Sequence, residues 1–181
     1  MWETIWHQHY LSKLNHDYIK SRCDLFAILC EDYYQRNIMA QSNDTGKNWI
    51  ENQLKRIKER NSVDNILDIG AGEGTYWNKY NQLLQGKWTA IEVWEPYIEK
   101  YGLKTKYNEV VVQDARQIDF NQYEKQDIVF AGDVLEHMTK DDAIILVEKL
   151  LSISKCLFIS IPIIYMPQGE WEGNPYEEHV K

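Results

Sequence analysis

Hydrophobic and polar residues alternate at helical spacing over residues 1–60. Two hydrophobic stripes recur at intervals of three and four positions, one formed by Trp2, Ile5, Trp6 and His9 or Tyr10, the other by Leu25, Phe26, Leu29, Tyr33 and Tyr34. A third stripe is formed by Trp49, Ile50, Leu54 and Ile57. We expect this third helix to begin near Asp44 or Thr45, with Asp44 as its N-cap, and to end at the charged "KERNS". The pattern predicts an N-terminal helical extension or lid over residues 1–60.

Short apolar runs replace this spacing from Val63 onward. Five of them are predicted as strands: "VDNILDIG", "KWTAIEV", "NEVVVQ", "QDIVFAG" and "SKCLFISIP". The segments between them predict helices: "GTYWNKYNQLLQG" ending at Gly86, "EPYIEKYGL" with Pro96 at its start and Gly102 at its end, and "TKDDAIILVEKLLSI" capped by Thr139. Strands that alternate with helices indicate an α/β fold, a parallel sheet sandwiched between helices. We therefore expect an α/β domain over residues 61–165 and a tail over residues 166–181.

Composition narrows the class of protein. The chain has 181 residues, 44% of them hydrophobic, which suffices for a sizeable core. The formal net charge is −8 and no Lys/Arg-rich run occurs, so a nucleic-acid groove is not expected, although a small basic pocket stays open. Cys23, Cys30 and Cys156 are scattered, which fits neither a disulfide framework nor a CxxC metal site. Without a signal peptide or a run of roughly 18 apolar residues, the sequence predicts a cytoplasmic protein with no metal site and no membrane span.

Aromatic residues are abundant, with seven Trp and twelve Tyr. They can pack an aromatic-rich core, or they can line a pocket that stacks on a sugar or another ring. The sequence leaves both interpretations open.

A glycine cluster follows the first predicted strand. Gly70, Gly72 and Gly74 lie at the carboxyl end of "NILDI", where open α/β sheets bind ligands. The loop lacks the Lys of a phosphate-binding GxxxxGK[ST] motif, and its third glycine comes one residue too early for the dinucleotide pattern GxGxxG. Asp68 and Glu73 flank the loop, and two fixed negative charges disfavour a pyrophosphate. The loop therefore favours a ligand that carries a positively charged amino group.

Acidic residues end the following strands as well. Glu92 ends the second strand and can accept hydrogen bonds from a ribose diol. Asp114 follows the third strand and can accept a hydrogen bond from an exocyclic amine such as that of adenine. Asp133, Glu136 and His137 follow the fourth strand. Four successive strands thus bring an acid to one edge of the sheet, which predicts a nucleoside site.

These motifs resemble those of the class I S-adenosylmethionine-dependent methyltransferases, whose fold is Rossmann-like. "LDIGAGEG" is similar to their first motif, "AIEVWEPYI" to the second, "QDA" to the third, and "DIVFAGDVLEHM" with "LFISIP" to the fourth and fifth. The resemblance implies S-adenosylmethionine as cofactor and S-adenosylhomocysteine as product. The cofactor site that it implies comprises Asp68, Gly70, Ala71, Gly72, Glu73 and Gly74 at the methionine part, Glu92 at the ribose, Val93, Asp114 and Ala115 at the adenine, and Gly132, Asp133 and Val134 under the sulfonium.

The resemblance also bears on the methyl acceptor. Family members carry a further helix and a closing β-hairpin after the fifth strand, and no such hairpin is recognisable here. The tail "YMPQGEWEGNPYEEHVK" resembles the acceptor loop of several methyltransferases of sugars and small metabolites. We therefore expect O- or N-methylation of a small molecule or a carbohydrate. An NAD(P)-dependent oxidoreductase and a non-catalytic cofactor-binding or partner protein with the same fold are the alternatives.

A general base is required only if the acceptor is a hydroxyl or a protonated amine. His137 is the candidate, because it follows the fourth strand and titrates near neutral pH. Packing at a helix start is the other interpretation of this histidine. We expect Glu136 to face solvent, and His179 is a second residue that could approach the acceptor. His7, His9 and Tyr10 either belong to an N-terminal lid or pack as one amphipathic face.

Overall fold

The computed structural model describes residues 25–31, 47–162 and 167–180. Six strands form one sheet: β1 Leu25–Glu31, β2 Asn65–Ile69, β3 Lys87–Glu92, β4 Glu109–Val112, β5 Gln126–Gly132 and β6 Ser154–Pro162. Their order across the sheet is β1-β6-β5-β2-β3-β4, and every pair of neighbours is parallel. The five strands predicted from the sequence are β2 to β6, and the Rossmann-like parallel sheet is confirmed.

Helices connect the strands and cover the sheet. The α-helices are α1 Lys47–Arg60, α2 Thr75–Tyr80, α3 Glu95–Lys100, α4 Leu103–Lys106 and α5 Lys140–Ile153. Short 3-10 helices span Ala115–Gln117, Phe120–Gln122, Leu135–His137 and Pro175–Glu177. As predicted, Pro96 lies in the first turn of α3 and Thr139 caps α5. None of the helices in the described part of the chain combines the length and the apolar character needed to span a bilayer.

Strands β2, β3, β5 and β6 are buried on both faces, as a parallel sheet between helices requires. Residues such as Leu67, Val129 and Leu157 face α5 and form one core cluster. Their neighbours along the strands, such as Ile66 and Phe130, form a second cluster that includes side chains of α1 and α2. Successive side chains along these strands point to opposite faces of the sheet, and they therefore pack into two separate cores.

The prediction of a helix from Leu25 onward is wrong for Leu25–Glu31. This segment is a strand that pairs in parallel with β6, from Leu25 beside Cys156 to Glu31 beside Pro162. A short apolar run satisfies helical and extended spacing equally well, and pairing with the open edge of β6 decides between them. The predicted stripe of Trp2 to Tyr10 and the predicted cap Asp44 lie outside the described residues. In the described part of the chain, β1 occupies the edge of the sheet beyond β6, and no closing hairpin follows β6 there.

Two further helix predictions need correction. Trp49 does not share the buried face of α1, because Ile50 and Leu54 are fully buried whereas Trp49 is 41% exposed. Helix α2 ends at Tyr80 rather than at Gly86. Gly86 lies instead in the turn into β3, where a β-carbon would lie 2.6 Å from the carbonyl oxygen of Val63.

The sheet order places a crevice at the carboxyl ends of the central strands. Strand β2 lies between β3 and β5: the chain first adds β3 and β4 on one side of β2 and then adds β5 and β6 on the other. Open α/β sheets bind ligands where the strand order reverses in this way. The loops after β2, β3, β4 and β5 meet at this edge.

Candidate functional site

A cavity of about 220 Å³ opens at this edge of the sheet. Its wall is built from the loops that follow β2 to β5 and from residues of the C-terminal segment 167–180. Twelve of the fourteen site residues predicted from the sequence line it: Gly70, Ala71, Gly72, Glu73, Glu92, Val93, Asp114, Ala115, Gly132, Asp133, Val134 and His137. The two that do not are Asp68 and Gly74.

The glycine loop after β2 presents backbone to the cavity. The backbone N–H groups of Gly70 and Ala71 donate to the carbonyl oxygen of Ile91, at 2.9 and 3.2 Å, which joins the loop to β3. Gly70 has a φ of +63°, and a β-carbon there would lie 2.7 Å from the side chain of Val134. Glycine is therefore required at Gly70 both by the left-handed backbone and by the close approach of the β5 loop.

Glu92 at the end of β3 joins the glycine loop to the next connection. Its carboxylate accepts hydrogen bonds from the backbone N–H of Gly72 and from that of Trp94, both at 2.8 Å. The residue is 5% exposed, and burial raises the pKa of Glu92 while these two donors oppose the shift. A carboxylate offers about four acceptor positions, so Glu92 keeps acceptor capacity for a ligand hydroxyl.

Asp68 lies beneath the glycine loop rather than in the cavity wall. It is 1% exposed, and its carboxylate accepts a 2.6 Å hydrogen bond from the hydroxyl of Tyr107. Burial raises the pKa of Asp68 to about 7, although the hydrogen bond from Tyr107 opposes the shift. The predicted direct contact of Asp68 with the ligand is thus not what the structure favours, because the strand directs this side chain toward Tyr107. Gly74, with φ +82°, begins α2 outside the cavity wall.

Asp114 holds an arginine at the third strand end. The Arg116 side chain donates to both carboxylate oxygens of Asp114, at 2.5 to 3.0 Å, and its backbone N–H donates at 2.9 Å. Hydrogen bonds from Arg116 lower the pKa of Asp114 below its ordinary value. Asp114 is therefore ionised at neutral pH, and any amine that it recognises must share it with Arg116.

The turn after β5 is strained and tightly packed. Asp133 has a φ of +53°; its backbone N–H donates to the carbonyl oxygen of Ser160 at 2.9 Å, and its carboxylate accepts from the hydroxyl of Ser160 at 3.3 Å. A β-carbon on Gly132 would lie 2.2 Å from the hydroxyl oxygen of Tyr76. The Tyr76 ring in turn stacks on Phe130 with centroids 4.6 Å apart. These contacts fix the floor of the cavity.

His137 and Glu136 lie on the 3-10 helix that follows this turn, and both line the cavity. Nδ1 of His137 is 3.3 Å from the carbonyl oxygen of Glu178, and burial lowers the pKa of His137 below its ordinary value. Glu136 does not point to solvent as predicted, because one of its carboxylate oxygens is fully buried. His179 also lines the cavity, and its ring centroid lies 4.9 Å from that of His137.

The C-terminal segment 167–180 forms the outer wall of the cavity. The hydroxyl of Tyr97 donates to Glu177 at 3.1 Å, and the Tyr176 ring lies 6.2 Å from that of Trp94. The backbone N–H of Val180 donates to the carbonyl oxygen of Glu136 at 2.9 Å. The segment therefore bridges the connection after β3 and the connection after β5.

Sequence reasoning missed several residues of this wall, namely Tyr97, Tyr101, Arg116, Gln168, Trp171, Asn174, Tyr176 and Glu177. An arginine two positions after Asp114 was a visible local signal. The sequence predicts either core packing or a stacking pocket for the aromatic residues, and the structure places some of them in each location. Tyr76, Trp88 and Phe130 pack in the core, whereas Tyr97 and Tyr176 line the cavity.

Comparisons with known proteins agree with this geometry. Residues 66–155 match the family model described as a methyltransferase domain. The comparison with curated proteins finds no match. Among solved structures, the chain is similar to the S-adenosylhomocysteine-bound N-terminal domain of EvdMO1, with a TM-score of 0.53 and 14% identity over 66% of this chain and 49% of that one.

Two further solved structures are similar. One is an S-adenosylmethionine-dependent methyltransferase from Clostridium acetobutylicum, with a TM-score of 0.51 and 18% identity over 63% of this chain and 49% of that one. The other is the plantazolicin methyltransferase BpumL in complex with S-adenosylhomocysteine, with a TM-score of 0.50 and 17% identity over 65% and 50% of the two chains. The chain spans about half the length of these proteins. Residues 66–155, just under half of the chain, are thus similar to a methyltransferase domain, and the parallel sheet has the Rossmann-like fold of these structures.

Proposed function

We propose that this protein binds S-adenosylmethionine and transfers its methyl group to a small molecule or a sugar-type acceptor. The observation that carries the proposal is the cavity in which the bare glycine loop, Glu92 and Asp133 converge. Gly72 and Glu92 are linked by a hydrogen bond, so the methionine and ribose subsites are built as one unit. The match of residues 66–155 to the methyltransferase domain supports the same reaction.

The cofactor lies along the strand ends in this proposal. Its methionine part contacts the backbone of Gly70, Ala71 and Gly72, and its ribose hydroxyls donate to Glu92. Its adenine packs between Val93 and Ala115, near Asp114. The sulfonium lies over Gly132 and Asp133, so the positive charge faces a carboxylate. Asp68 supports the site indirectly, through the strand beneath the loop.

The reaction is an in-line displacement at a methyl group that the sulfonium already activates. Alignment of donor and acceptor is then the main contribution of the protein, and orientation alone supplies roughly 7–11 kcal/mol in favourable cases. His137 is the proposed acceptor of a proton. Its side chain lines the cavity, and its Nδ1 contacts the carbonyl oxygen of Glu178, which orients the imidazole. Tyr97, Tyr101 and Trp171 give the acceptor side an aromatic lining that suits a sugar or a ring. A cytoplasmic location belongs to the same proposal and rests on the scattered cysteines.

Calorimetry with S-adenosylhomocysteine tests the cofactor assignment. We expect saturable binding to the wild type, and Glu92→Ala to weaken it by about 1.5–3 kcal/mol, the worth of a hydrogen bond to a charged group. Glu95→Ala, an exposed acid three positions along the chain, is the control and should bind like the wild type. NADH should give no heat and no rise in melting temperature. Binding of NADH instead would overturn the proposal in favour of an oxidoreductase, an alternative that the methyltransferase match does not favour.

Turnover separates an enzyme from a non-catalytic binding protein. Formation of S-adenosylhomocysteine, measured across panels of sugars, amines and phenols, should identify at least one acceptor class. Tight cofactor binding with no turnover across all panels would support a binding or partner role.

A further inference from the structure

Three side chains with metal-ligating groups converge on one side of the cavity. The carboxylate of Glu136 and the imidazoles of His137 and His179 place one ligand atom each within 4.8 Å of the others. Glu136 and His137 come from the 3-10 helix after β5, and His179 comes from the C-terminal segment. Two imidazoles and one carboxylate are a frequent ligand set for Zn²⁺ and for other borderline divalent ions.

The backbone around these three residues is held by hydrogen bonds. The N–H of Val180 donates to the carbonyl oxygen of Glu136 at 2.9 Å, and the N–H of His179 donates to that of Gln168 at 3.0 Å. The first bond fastens the C-terminal segment to the 3-10 helix next to His179, and the second closes that segment on itself. The convergence is therefore a built contact between two parts of the chain.

His137 also has the outer contact that metal-bound histidines usually show. Its Nδ1 lies 3.3 Å from the carbonyl oxygen of Glu178. In the tautomer that carries hydrogen on Nδ1, this contact is a hydrogen bond and Nε2 keeps its lone pair for another partner. A backbone carbonyl in this position orients the ring and strengthens the ligand.

We propose that Glu136, His137 and His179 bind one divalent ion of the Zn²⁺ or Co²⁺ type. Ligand atoms about 2.1 Å from a common tetrahedral ion lie about 3.4 Å apart, so modest side-chain rotation closes the site. Mg²⁺ does not fit, because it prefers oxygen ligands in near-ideal octahedral geometry. The sequence predicted no metal here, since the third ligand comes from a distant segment.

Three protein ligands leave a fourth position open toward the cavity, as in catalytic zinc sites. The role of the ion rests on the proposed methyl transfer, whereas its binding does not. A hydroxyl of the acceptor that occupies the open position becomes more acidic and loses its proton to solvent. The oxygen then bonds to the methyl carbon while the carbon–sulfur bond breaks, and the electron pair stays on sulfur, which becomes a neutral thioether. The site thus selects acceptors that carry a hydroxyl, and His137 acts as a ligand whenever the ion is bound.

Titration of the EDTA-treated full chain with Co²⁺ tests the site, with visible absorption and calorimetry as readouts. We expect one equivalent to bind, and Zn²⁺ to displace it. Glu136→Gln and His179→Gln should each weaken binding at least tenfold, with circular dichroism showing that both variants fold. Glu178→Gln, at an exposed carboxylate next to His179 in the chain, is the control and should bind like the wild type. No saturable binding, or binding that Glu136→Gln and His179→Gln leave unchanged, would overturn the proposal.

A parallel titration with S-adenosylhomocysteine separates the two proposals. Binding of Co²⁺ at this cluster without any affinity for S-adenosylhomocysteine would leave the metal site standing and remove the methyltransferase function. Affinity for S-adenosylhomocysteine without Co²⁺ binding would remove the metal site and leave the function.

Discussion

Two carboxylates on neighbouring strands, Asp68 and Glu92, show how position at the residue scale decides chemistry. Glu92 ends its strand, reaches the cavity and accepts from two backbone N–H groups. Asp68 lies one residue before its strand ends and accepts from a buried tyrosine instead. Glu92 therefore belongs to the cavity wall, whereas the protonation state of Asp68 affects the stability of the fold.

The pKa of Asp68 leads to a prediction about stability against pH. Because its pKa rises from 3.8 to about 7 on folding, its stabilising contribution is complete below pH 3.8 and is lost as the pH rises toward about 7. The shift corresponds to a free energy on the order of 4 kcal/mol. Asp68→Asn keeps an oxygen for Tyr107 and removes the charge, so we expect it to be more stable than the wild type at pH 8. Urea unfolding of the ligand-free protein at pH 5 and pH 8 measures the difference.

The matched control is Asp141→Asn, which makes the same substitution at an exposed residue. It should keep the wild-type dependence on pH. If Asp68→Asn and Asp141→Asn lose stability equally between pH 5 and pH 8, Asp68 is not the titrating group.

The packing of Gly132 gives a second prediction at this scale. A β-carbon there would lie 2.2 Å from the hydroxyl oxygen and 2.4 Å from a ring carbon of Tyr76. The ring cannot retreat without leaving its stack on Phe130. We expect Gly132→Ala to destabilise the fold by about 1–3 kcal/mol, as overpacking does. Gly169→Ala, where no atom lies within 4 Å of the new carbon, should change the free energy of unfolding by less than about 0.5 kcal/mol. Equal effects in urea unfolding would contradict the clash.

Local order explains which site residues the sequence could predict. Glu92, Asp114 and Asp133 follow apolar strands directly, and parallel strands bring their carboxyl ends to one edge. The Asp68–Tyr107 hydrogen bond joins residues 39 positions apart, and the Tyr97–Glu177 bond joins residues 80 apart. Periodicity carries no information about such pairs, so they required the structure.

At the scale of elements, local sequence signals predicted α5 correctly and predicted a helix where β1 forms. Thr139 begins α5, where its hydroxyl accepts from the backbone N–H of Asp142 at 3.2 Å, and the sequence predicted this cap. Segment Leu25–Glu31 is an apolar run without a cap or a breaker, and its pairing with β6 spans more than a hundred residues. Propensity does not decide such a segment, but the available sheet edge does.

The cap of α5 gives a prediction for the element that covers one face of the sheet. Thr139→Ala removes the side-chain acceptor and should destabilise the fold by about 1 kcal/mol, within the usual range of 0.5–2 kcal/mol. Thr105→Ala is the control, because Thr105 is exposed and its hydroxyl donates to the carbonyl oxygen of Gly102 instead of accepting from a helix-start N–H. Thermal unfolding of both variants checks the order of the two effects. A Thr139 variant as stable as the Thr105 variant would contradict the capping role.

At the scale of the whole molecule, negative charge concentrates at the cavity. Six carboxylates and one guanidinium are among its lining side chains: Glu73, Glu92, Asp114, Asp133, Glu136 and Glu177, with Arg116. Arg116 pairs with one of these six carboxylates, that of Asp114, so carboxylates outnumber guanidinium groups in the cavity wall. The net charge of −8 adds a field of the same sign. Such a field favours a cationic ligand over its neutral counterpart.

The proposed donor and product differ by one positive charge, since methyl transfer turns a sulfonium into a thioether. Added salt screens the field of the cavity, with a Debye length of about 10 Å at 0.1 M. We therefore expect the affinity for S-adenosylmethionine to fall by at least about threefold more than that for S-adenosylhomocysteine between 20 and 500 mM NaCl, a difference of ~0.6 kcal/mol. Calorimetry in the presence of EDTA measures both affinities without interference from divalent ions. Glu73→Gln removes a carboxylate from the cavity wall and should make the salt dependences of the two affinities more alike. The control Asp141→Asn removes an equal charge from α5, outside the cavity wall, and should leave both salt dependences unchanged. Parallel salt dependences for the two ligands would mean that the sulfonium binds outside this acidic wall, because a neutral thioether responds to its field much less than a cation does.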